Sequence, residues 1–518
     1  MNWKNFNIIR KKLGTHKYIL LIYLLIVILA SLLLYSPWTQ NTSYLVELTG
    51  KQKAIPRISY INALFITASA FSDTGLVVVD TFRQWNMFGQ SIIAILILVG
   101  GIGVFALKLF LINWLFRRKT TTLSEIKLIN NERGSDDIAQ TFKLVVTAVK
   151  FLLLVCLIFG FILTFYFYFV GPEHPKDFVN PASFINPKGN WSMSFRFGFF
   201  HSISALNNAG FDILGENSFM PYYLNYGLQA IFIILLLIGG LGYPTIYDIY
   251  CFIVHKITGK KNKYHFSLFS KVSLTTYLLV TIFGFLLISL TEILSNSNNT
   301  FWNMEMNGSI FAKSFALFFC SLSTRSAGFS FIDMSQLNSN TALILLIMMF
   351  IGAAPASTGG GIRTTTFAII VAMLFNKILG KPRTRMFKRT ISLETEKQAL
   401  LVFVISIFLL IIISLICSTS FESYGGNIKT HYSKVNDGLQ SKEDQYFSMT
   451  QIIFEVSSAF GTTGLSTGMT KYFNIESKIA LTLLMFIGQF GISSTILVWG
   501  FKNYSNKFEY VQSDLTTG

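Results

Sequence analysis

The chain is 518 residues long, 52% hydrophobic and only 13% charged. A soluble chain of this length carries roughly a quarter charged residues, so the composition points to an integral membrane protein. The formal net charge of +17 does not indicate a nucleic-acid partner. Its basic residues sit in short segments between apolar runs: Lys4, Arg10, Lys11 and Lys12; Arg117, Arg118 and Lys119; Lys256, Lys260, Lys261 and Lys263; Lys377, Lys381, Arg383, Arg385, Lys388 and Arg389. Positive segments of this kind mark the cytoplasmic ends of spanning helices.

In chain order, residues 1–16 form a basic, cytoplasmic N-terminus. The apolar run from Tyr18 to Tyr35 is too long for a signal-peptide core and ends in Ser36-Pro37 without a small-residue cleavage site. It predicts a first membrane helix over about 17–36, followed by a polar outer segment with Asn41, Thr42, Glu47 and Lys51. A half-length helix at about 60–71 and a returning helix at about 83–116 complete repeat 1, residues 17–119. A cytoplasmic linker, 120–140, leads to repeat 2 over 141–262, with helices at about 141–171, 193–206 and 221–255 and a loop containing Pro181 and Pro187. Repeat 3, 263–388, has helices at about 267–294, 308–323 and 340–377. Repeat 4, 389–502, has them at about 398–417, 447–460 and 477–502, before a C-terminal tail over 503–518. The fold class expected is an all-α, multi-pass membrane protein of four pseudo-symmetric units (helix, pore half-helix with filter turn, helix) around a central pore. Both termini are placed in the cytoplasm.

Each half-length run ends in a short glycine turn: Ser72-Asp73-Thr74-Gly75, Asn207-Asn208-Ala209-Gly210, Thr324-Arg325-Ser326-Ala327-Gly328 and Gly461-Thr462-Thr463-Gly464. A ring of backbone carbonyls can strip water from an alkali cation without a fixed charge. Aiming carbonyls at one ion requires positive φ, which glycine reaches at little cost. Thr74, Ala209, Ala327 and Thr463 are therefore the candidate carbonyl donors to K⁺, with Gly75, Gly210, Gly328 and Gly464 after them and Asn208 beside them. The turns hold no ring of four carboxylates and no ring of Lys or Arg, which favours a monovalent cation, K⁺ before Na⁺. A Na⁺-permeable or weakly selective transporter on the same scaffold is the alternative.

A second signature lies about 24–29 residues after each filter glycine: Gly100-Gly101-Ile102-Gly103, Gly239-Gly240-Leu241-Gly242, Gly352-Ala353-Ala354 and Gly488-Gln489-Phe490-Gly491. Close helix packing alone explains one such glycine cluster; four in register indicate an internal repeat. In the third unit the returning helix is broken over 352–363, with Gly352, Pro355, Ser357, Thr358, Gly359, Gly360, Gly361 and Arg363. Backbone of this kind survives at membrane depth only when buried in protein or lining a cavity, so the segment is expected to obstruct the pore as a gate. Asp73, Arg325 and Glu455 are charged at membrane depth, which is expensive unless they pair or face water; Arg325 is expected to pair with Asp73 or Glu455 and brace the turns.

Other chemistries find little support. The four cysteines are scattered singly, without metal spacing, and the six histidines form no zinc-protease pattern. No P-loop is present, so no organic cofactor is expected. His201 and Ser202 are adjacent on a half-helix and face apart, which is poor geometry for a catalytic dyad.

These turns, together with Ser357-Thr358-Gly359-Gly360-Gly361-Ile362-Arg363-Thr364-Thr365-Thr366, closely resemble the Trk/Ktr/HKT superfamily of potassium transporters, in particular its bacterial Ktr-type membrane subunit. The stretches from Phe200 to Phe211 and from Phe454 to Gly461 are specific to that pattern, and the likeness runs from about Tyr18 to Lys502. The resemblance implies K⁺ uptake across the cell membrane, a homodimer with one pore per protomer, and a cytosolic nucleotide-binding ring as regulator. Na⁺ stands as a candidate activator and membrane lipids as the surroundings. In that family glycine at all four filter positions goes with K⁺ preference, and the first here is Gly75. Two positions depart from the family's usual pattern. Gln489 replaces an arginine thought to face the gating loop, and Asp73 replaces a small or aliphatic residue.

Overall fold

The computed structural model describes residues 15–41, 44–46, 52–54, 56–104, 106–108, 110–111, 138–175, 179, 184–215, 217–259, 262–295, 300–424, 427–430 and 446–496. The basic residues Lys4, Arg10, Lys11, Lys12, Arg117, Arg118, Lys119, Lys260 and Lys261 lie outside them. So do Thr42, Glu47, Lys51, Pro181, most of the linker and the C-terminal tail.

The helices follow one order four times over. Helix α1 (Thr15–Tyr35) precedes the half-length α2 (Tyr60–Phe71) and the returning α3 (Met87–Ile102). Helix α4 (Ile138–Phe169) precedes α5 (Trp191–Leu206) and a bent pair, α6 (Tyr226–Gly240) with α7 (Tyr243–Ile257). Helix α8 (Leu268–Ile293) precedes α9 (Ile310–Ser323) and a broken pair, α10 (Ser339–Phe350) with α11 (Thr364–Ile378). Helix α12 (Leu393–Ser418) precedes α13 (Met449–Gly461) and α14 (Ile475–Phe490). By length and composition α1, the segment Phe142–Phe169 within α4, α8 and α12 can each cross a bilayer, and the pair α6–α7 makes a fifth span if counted as one.

The half-length helices begin alike. Ser59, Asn190, Ser309 and Ser448 each stand at the N-cap and accept a backbone N–H from the first turn, satisfying a donor the helix leaves open. The last two turns of each are buried almost throughout, with Ile203 and Phe318 partly exposed, as a helix sunk into a protein core must be. The spanning helices instead turn leucine, isoleucine and phenylalanine outward, such as Leu24, Leu29, Ile158, Phe283, Phe408 and Leu415, as a lipid-facing surface requires.

Small antiparallel ribbons amend the all-α expectation: β1 (Tyr44–Val46) with β2 (Gln52–Ala54), β3 (Arg385–Met386) with β4 (Arg389–Thr390), and the three-stranded β5 (Phe421–Tyr424), β6 (Asn427–Thr430) and β7 (Tyr446–Phe447). All lie between helices.

The returning helices were expected to run unbroken in three of the four units, and they do not. Helix α3 stops at Gly103, where φ is 96°, and α14 stops at Gly491, where φ is 82°. The pair α6–α7 bends by 104° across Leu241-Gly242. A glycine with positive φ ends the helical hydrogen-bond ladder, so the second signature is a break as well as a packing surface.

Its first glycine has the packing role. A Cβ on Gly100 would stand 2.0 Å from the Phe71 carbonyl oxygen, one on Gly239 2.1 Å from that of Leu206, and one on Gly488 2.0 Å from that of Phe460. In three units, then, the returning helix presses its backbone against the end of its own half-helix. In the third, Gly352 meets the Gly360 carbonyl instead, where an added Cβ would lie at 1.7 Å. Gly239→Ala should therefore lower stability by about 1–3 kcal/mol through overpacking. Gly227→Ala, nearest the Tyr166 ring at 3.3 Å, should leave stability unchanged or raise it through helix propensity. Thermal unfolding of the detergent-purified variants checks both.

Candidate functional site

The four glycine turns share one backbone course. Two residues before each glycine the chain is left-handed, at Asp73 (φ 50°), Asn208 (54°), Ser326 (86°) and Thr462 (46°). The glycines follow at φ 84°, 68°, 72° and 88° for Gly75, Gly210, Gly328 and Gly464. Between them, the N–H of the middle residue donates back to a serine carbonyl near the half-helix end. Thr74 reaches Ser69 at 2.8 Å, Ala209 reaches Ser204 at 2.8 Å, Ala327 reaches Ser323 at 2.9 Å and Thr463 reaches Ser458 at 2.8 Å. With that N–H tied to the helix behind it, the residue's own carbonyl is free to face away from the helix.

Those carbonyls face the neighbouring turn. A Cβ on Gly75 would lie 2.5 Å from the Ala209 oxygen, and one on Gly210 3.0 Å from that of Ala327. One on Gly328 would lie 2.3 Å from the Thr463 oxygen, and one on Gly464 2.2 Å from that of Thr74. The contacts run from turn one to two, two to three, three to four and four back to one. They close a ring of four backbone segments in which the predicted carbonyl-bearing residues are brought together.

A cavity of about 520 Å³ opens on one side of this ring, lined by all four glycines and by Asp80, Asp212, Ser330, Ser466 and Lys471. Asp212 accepts the Leu214 N–H at 3.2 Å, and Asp80 lies 3.5 Å from Arg83. Burial, and secondarily the charge of Asp80, pushes the Asp212 carboxyl up to about 7. Inspection of the turns alone missed these carboxylates, although Asp212 stands just two residues beyond Gly210.

The broken segment of the third unit packs against the filter turns. Its ends are pinned together by Gly352 N–H to the Ile362 carbonyl at 2.9 Å and Ile362 N–H to that of Phe350 at 3.1 Å. Gly360 donates to the Ser326 hydroxyl at 3.2 Å, and a Cβ on Gly360 would lie 2.4 Å from the Thr462 hydroxyl oxygen. The Thr358 hydroxyl donates to the Gly239 carbonyl at 3.0 Å. Tyr243 N–H reaches the Ala356 carbonyl at 3.0 Å, and a Cβ on Gly242 would meet the Pro355 oxygen at 2.2 Å. The bend between α6 and α7 is thus where this segment docks. Ser357 is fully buried, and Thr358 is nearly so.

The expected pairing of Arg325 is not what the structure holds. Its guanidinium donates to the Met348 carbonyl. The Glu455 carboxylate accepts from Ser466 Oγ at 2.8 Å, from Thr467 N at 2.7 Å and from Thr470 Oγ1 at 2.7 Å. It thereby folds the segment beyond the fourth turn back onto α13. Asp73 accepts from Gln489 Nε2 at 3.2 Å. The three charges serve separate walls of the site: hydroxyl and backbone donors hold Glu455, the Gln489 amide reaches Asp73, and Arg325 turns to a backbone carbonyl.

His201 and Ser202 are both occupied structurally. The imidazole spans the Phe197 carbonyl at 2.7 Å and the Ile213 N–H at 3.3 Å, pinning the segment beyond Gly210, while Ser202 donates to the Cys156 carbonyl at 2.7 Å.

Known proteins share this chain's sequence almost throughout. The cation transport protein family TrkH matches residues 36–509. The "Uncharacterized cation transporter MG322 homolog" of Mycoplasma pneumoniae is 33% identical, over 96% of this chain and 94% of its own length. The "Ktr system potassium uptake protein D" of Bacillus subtilis is 31% identical, over 89% of this chain and 90% of its own. The crystal structure of the potassium transporter TrkH from Vibrio parahaemolyticus shares the fold at a TM-score of 0.56 and 16% identity, over 86% of this chain and 79% of that one. A closed ring of glycine turns on buried half-helices, matched in sequence nearly end to end, makes this chain a member of the TrkH cation transport family and a multi-pass membrane transporter rather than an enzyme.

Proposed function

We propose that the chain carries K⁺ into the cell through a pore formed by its four units, 17–119, 141–262, 263–388 and 389–502, arranged with pseudo-fourfold symmetry. The observation that carries this reading is the closed cycle of near-contacts from Gly75 to Ala209, Gly210 to Ala327, Gly328 to Thr463 and Gly464 to Thr74. Carbonyls of Thr74, Ala209, Ala327 and Thr463 replace the water of a monovalent cation, whose own field the neutral ring does not overwhelm. The half-helices aim their C-terminal carbonyl ends at the same place and add partial negative charge. Inward movement is driven by the membrane potential, about 2.3 kcal/mol per charge per 100 mV.

The segment 352–363 acts as the gate, since it fills the space against the third and fourth turns on the side away from the open cavity. Lys256 in the last turn of α7 with Lys263 beyond it, and Lys377 in the last turn of α11 with Lys381 and Arg383 beyond it, close returning helices and therefore share a side, which the positive-inside rule makes cytoplasmic. Both termini belong on that side too. The Bacillus relative's name places it in a Ktr system, and a homodimer with a cytosolic nucleotide-binding regulator is the assembly we assign to this chain as well.

Complementation of a K⁺-uptake-deficient bacterium at low K⁺ tests the activity directly; failure of a well-expressed protein, with and without a cytosolic regulator, would sink it. Gly75→Ser puts a side chain where the Ala209 carbonyl stands. It should lower K⁺ over Na⁺ preference about tenfold, roughly 1.4 kcal/mol of discrimination, measured by bi-ionic potentials. Deleting residues 353–360 should raise K⁺ flux into proteoliposomes several-fold. Asp212 is charged above about pH 7 and loses that charge as pH falls through it, leaving Asp80 with its Arg83 partner and Lys471 at the cavity wall. Uptake from low external K⁺ should therefore fall between pH 8 and pH 6, and Asp212→Asn should flatten that dependence.

A further inference from the structure

Among the described residues that line the cavity beside the ring, three carry charge: Asp80, Asp212 and Lys471. The two carboxylates are near enough for the charge of Asp80 to oppose ionisation of Asp212. A pair of carboxylates beside main-chain oxygens is also what Mg²⁺ and Ca²⁺ seek, since both are hard cations that take oxygen ligands. A divalent ion seated there would bar the way to a monovalent one. Lys471 supplies the opposite charge, and a buried network fixes where it stands. It occupies the middle of a short helical turn, Thr470–Tyr472. Thr470, just before it, donates to the buried Glu455 carboxylate at 2.7 Å. The same carboxylate accepts from Ser466 Oγ at 2.8 Å, from Thr467 N at 2.7 Å and from Thr467 Oγ1 at 3.0 Å. The Lys471 ammonium lies 4.9 Å from the centre of the Tyr472 ring, within cation–π reach. The ion pair near this wall among the described residues is Asp80 with Arg83, so the Lys471 charge is not neutralised by a carboxylate.

We infer that Lys471 is a specificity-determining residue that keeps divalent cations out of the mouth of the pore. The inference rests on the reading of this chain as a K⁺ pore and adds to it a discrimination by valence. Coulomb energy scales with the charge of the ion, so the ammonium repels Mg²⁺ or Ca²⁺ twice as strongly as it repels K⁺. In terms of occupancy, the factor lost by the divalent ion is the square of the factor lost by K⁺. One lysine therefore costs the transported ion little and its competitor much. Two carboxylates against one ammonium still leave the wall net negative, so it goes on attracting monovalent cations. Specificity gained through a repulsive element in this way needs no contact with the preferred ion. The carbonyl ring behind it is left to sort ions of a single charge.

The test measures K⁺ uptake by the full-length protein in a K⁺-uptake-deficient bacterium, with a cytosolic regulator co-expressed where uptake needs one. Mg²⁺ or Ca²⁺ is added outside at pH 8, where Asp212 is charged, and at constant ionic strength. Gel filtration of the detergent-purified variants reports whether each is folded. In Lys471→Gln the KM for K⁺ should fall about threefold. The divalent concentration that halves uptake should fall about tenfold, close to the square of the first factor. Lys471→Arg, which keeps the charge, should keep the wild-type block. Asp212→Asn added to Lys471→Gln should undo the extra block, because the carboxylate pair is gone. If Lys471→Gln does not fold, Lys471→Met keeps an unbranched stem against Tyr472 and takes its place. Four results overturn the inference and leave the K⁺ reading standing: an unchanged divalent block, a block that strengthens no more than K⁺ affinity does, the same change in Lys471→Arg, or a block that survives the loss of Asp212. Absence of K⁺ uptake by the folded wild-type protein overturns that reading and the inference with it.

Discussion

Four missing β-carbons hold this structure together. Each filter glycine lies so close to the next turn's carbonyl that any side chain would strike it, at 2.2 to 3.0 Å from where the Cβ would stand. That closeness brings four separate backbone segments to one place, as the proposed ion site requires. It also sets the demands on everything behind the ring. A non-glycine residue in the left-handed region costs about 1–2 kcal/mol, and each turn contains one. Such strain persists only where the surroundings over-determine it. Here the surroundings are the serine carbonyl that ties each turn to its half-helix and the returning helix whose own glycine lets it press on the half-helix end.

Much of this was legible in the sequence, and for definite reasons. Half-length runs too short to span, each ending in glycine before another apolar run, could be counted without any structure. The half-helices fall within about two residues of expectation because serine and asparagine caps mark their starts and the glycine turns their ends. What was not legible were relations between units. At the bend over Leu241-Gly242 the carbonyl of Pro355, more than a hundred residues later, packs against Gly242, and no local pattern records that contact. Arg325 is expected to pair with Asp73 or Glu455 because buried charges need partners, but its guanidinium donates to the Met348 carbonyl, Asp73 accepts from Gln489, and Glu455 accepts from Ser466, Thr467 and Thr470. The second signature was readable as a repeat, while its double role as packing surface and helix break needed coordinates.

The third unit departs from the others in two linked ways. Its serine stands four residues before the carbonyl-bearing residue, Ser323 to Ala327, where the other three units have five. Its returning helix is opened into a loop, so the glycine that elsewhere meets a half-helix carbonyl meets Gly360 of the loop instead. Three units share one packing solution, and the third unit has given it up in favour of a segment that docks on the second unit's bend and the fourth unit's turn. Four copies of one unit close the ring, and one copy carries a loop where the others carry a packed helix.

The placement of charge follows from the neutrality of the ring. A fixed carboxylate at the filter would hold a monovalent cation too tightly to release it, since conduction requires binding weak enough to leave. The chain therefore keeps its carboxylates off the ring itself. Glu455 is consumed by hydroxyl and amide donors behind the fourth turn, and Asp73 is held by Gln489 beside the first. Asp80 and Asp212 lie instead on the wall of the cavity beside the ring, with Lys471 among them. On the proposed reading, a charge there would enrich cations near the entrance without binding any one of them for long. Among the residues lining this cavity Asp212 carries a carboxyl raised by burial, so the pH dependence proposed for uptake belongs to the approach and not to the carbonyl ring.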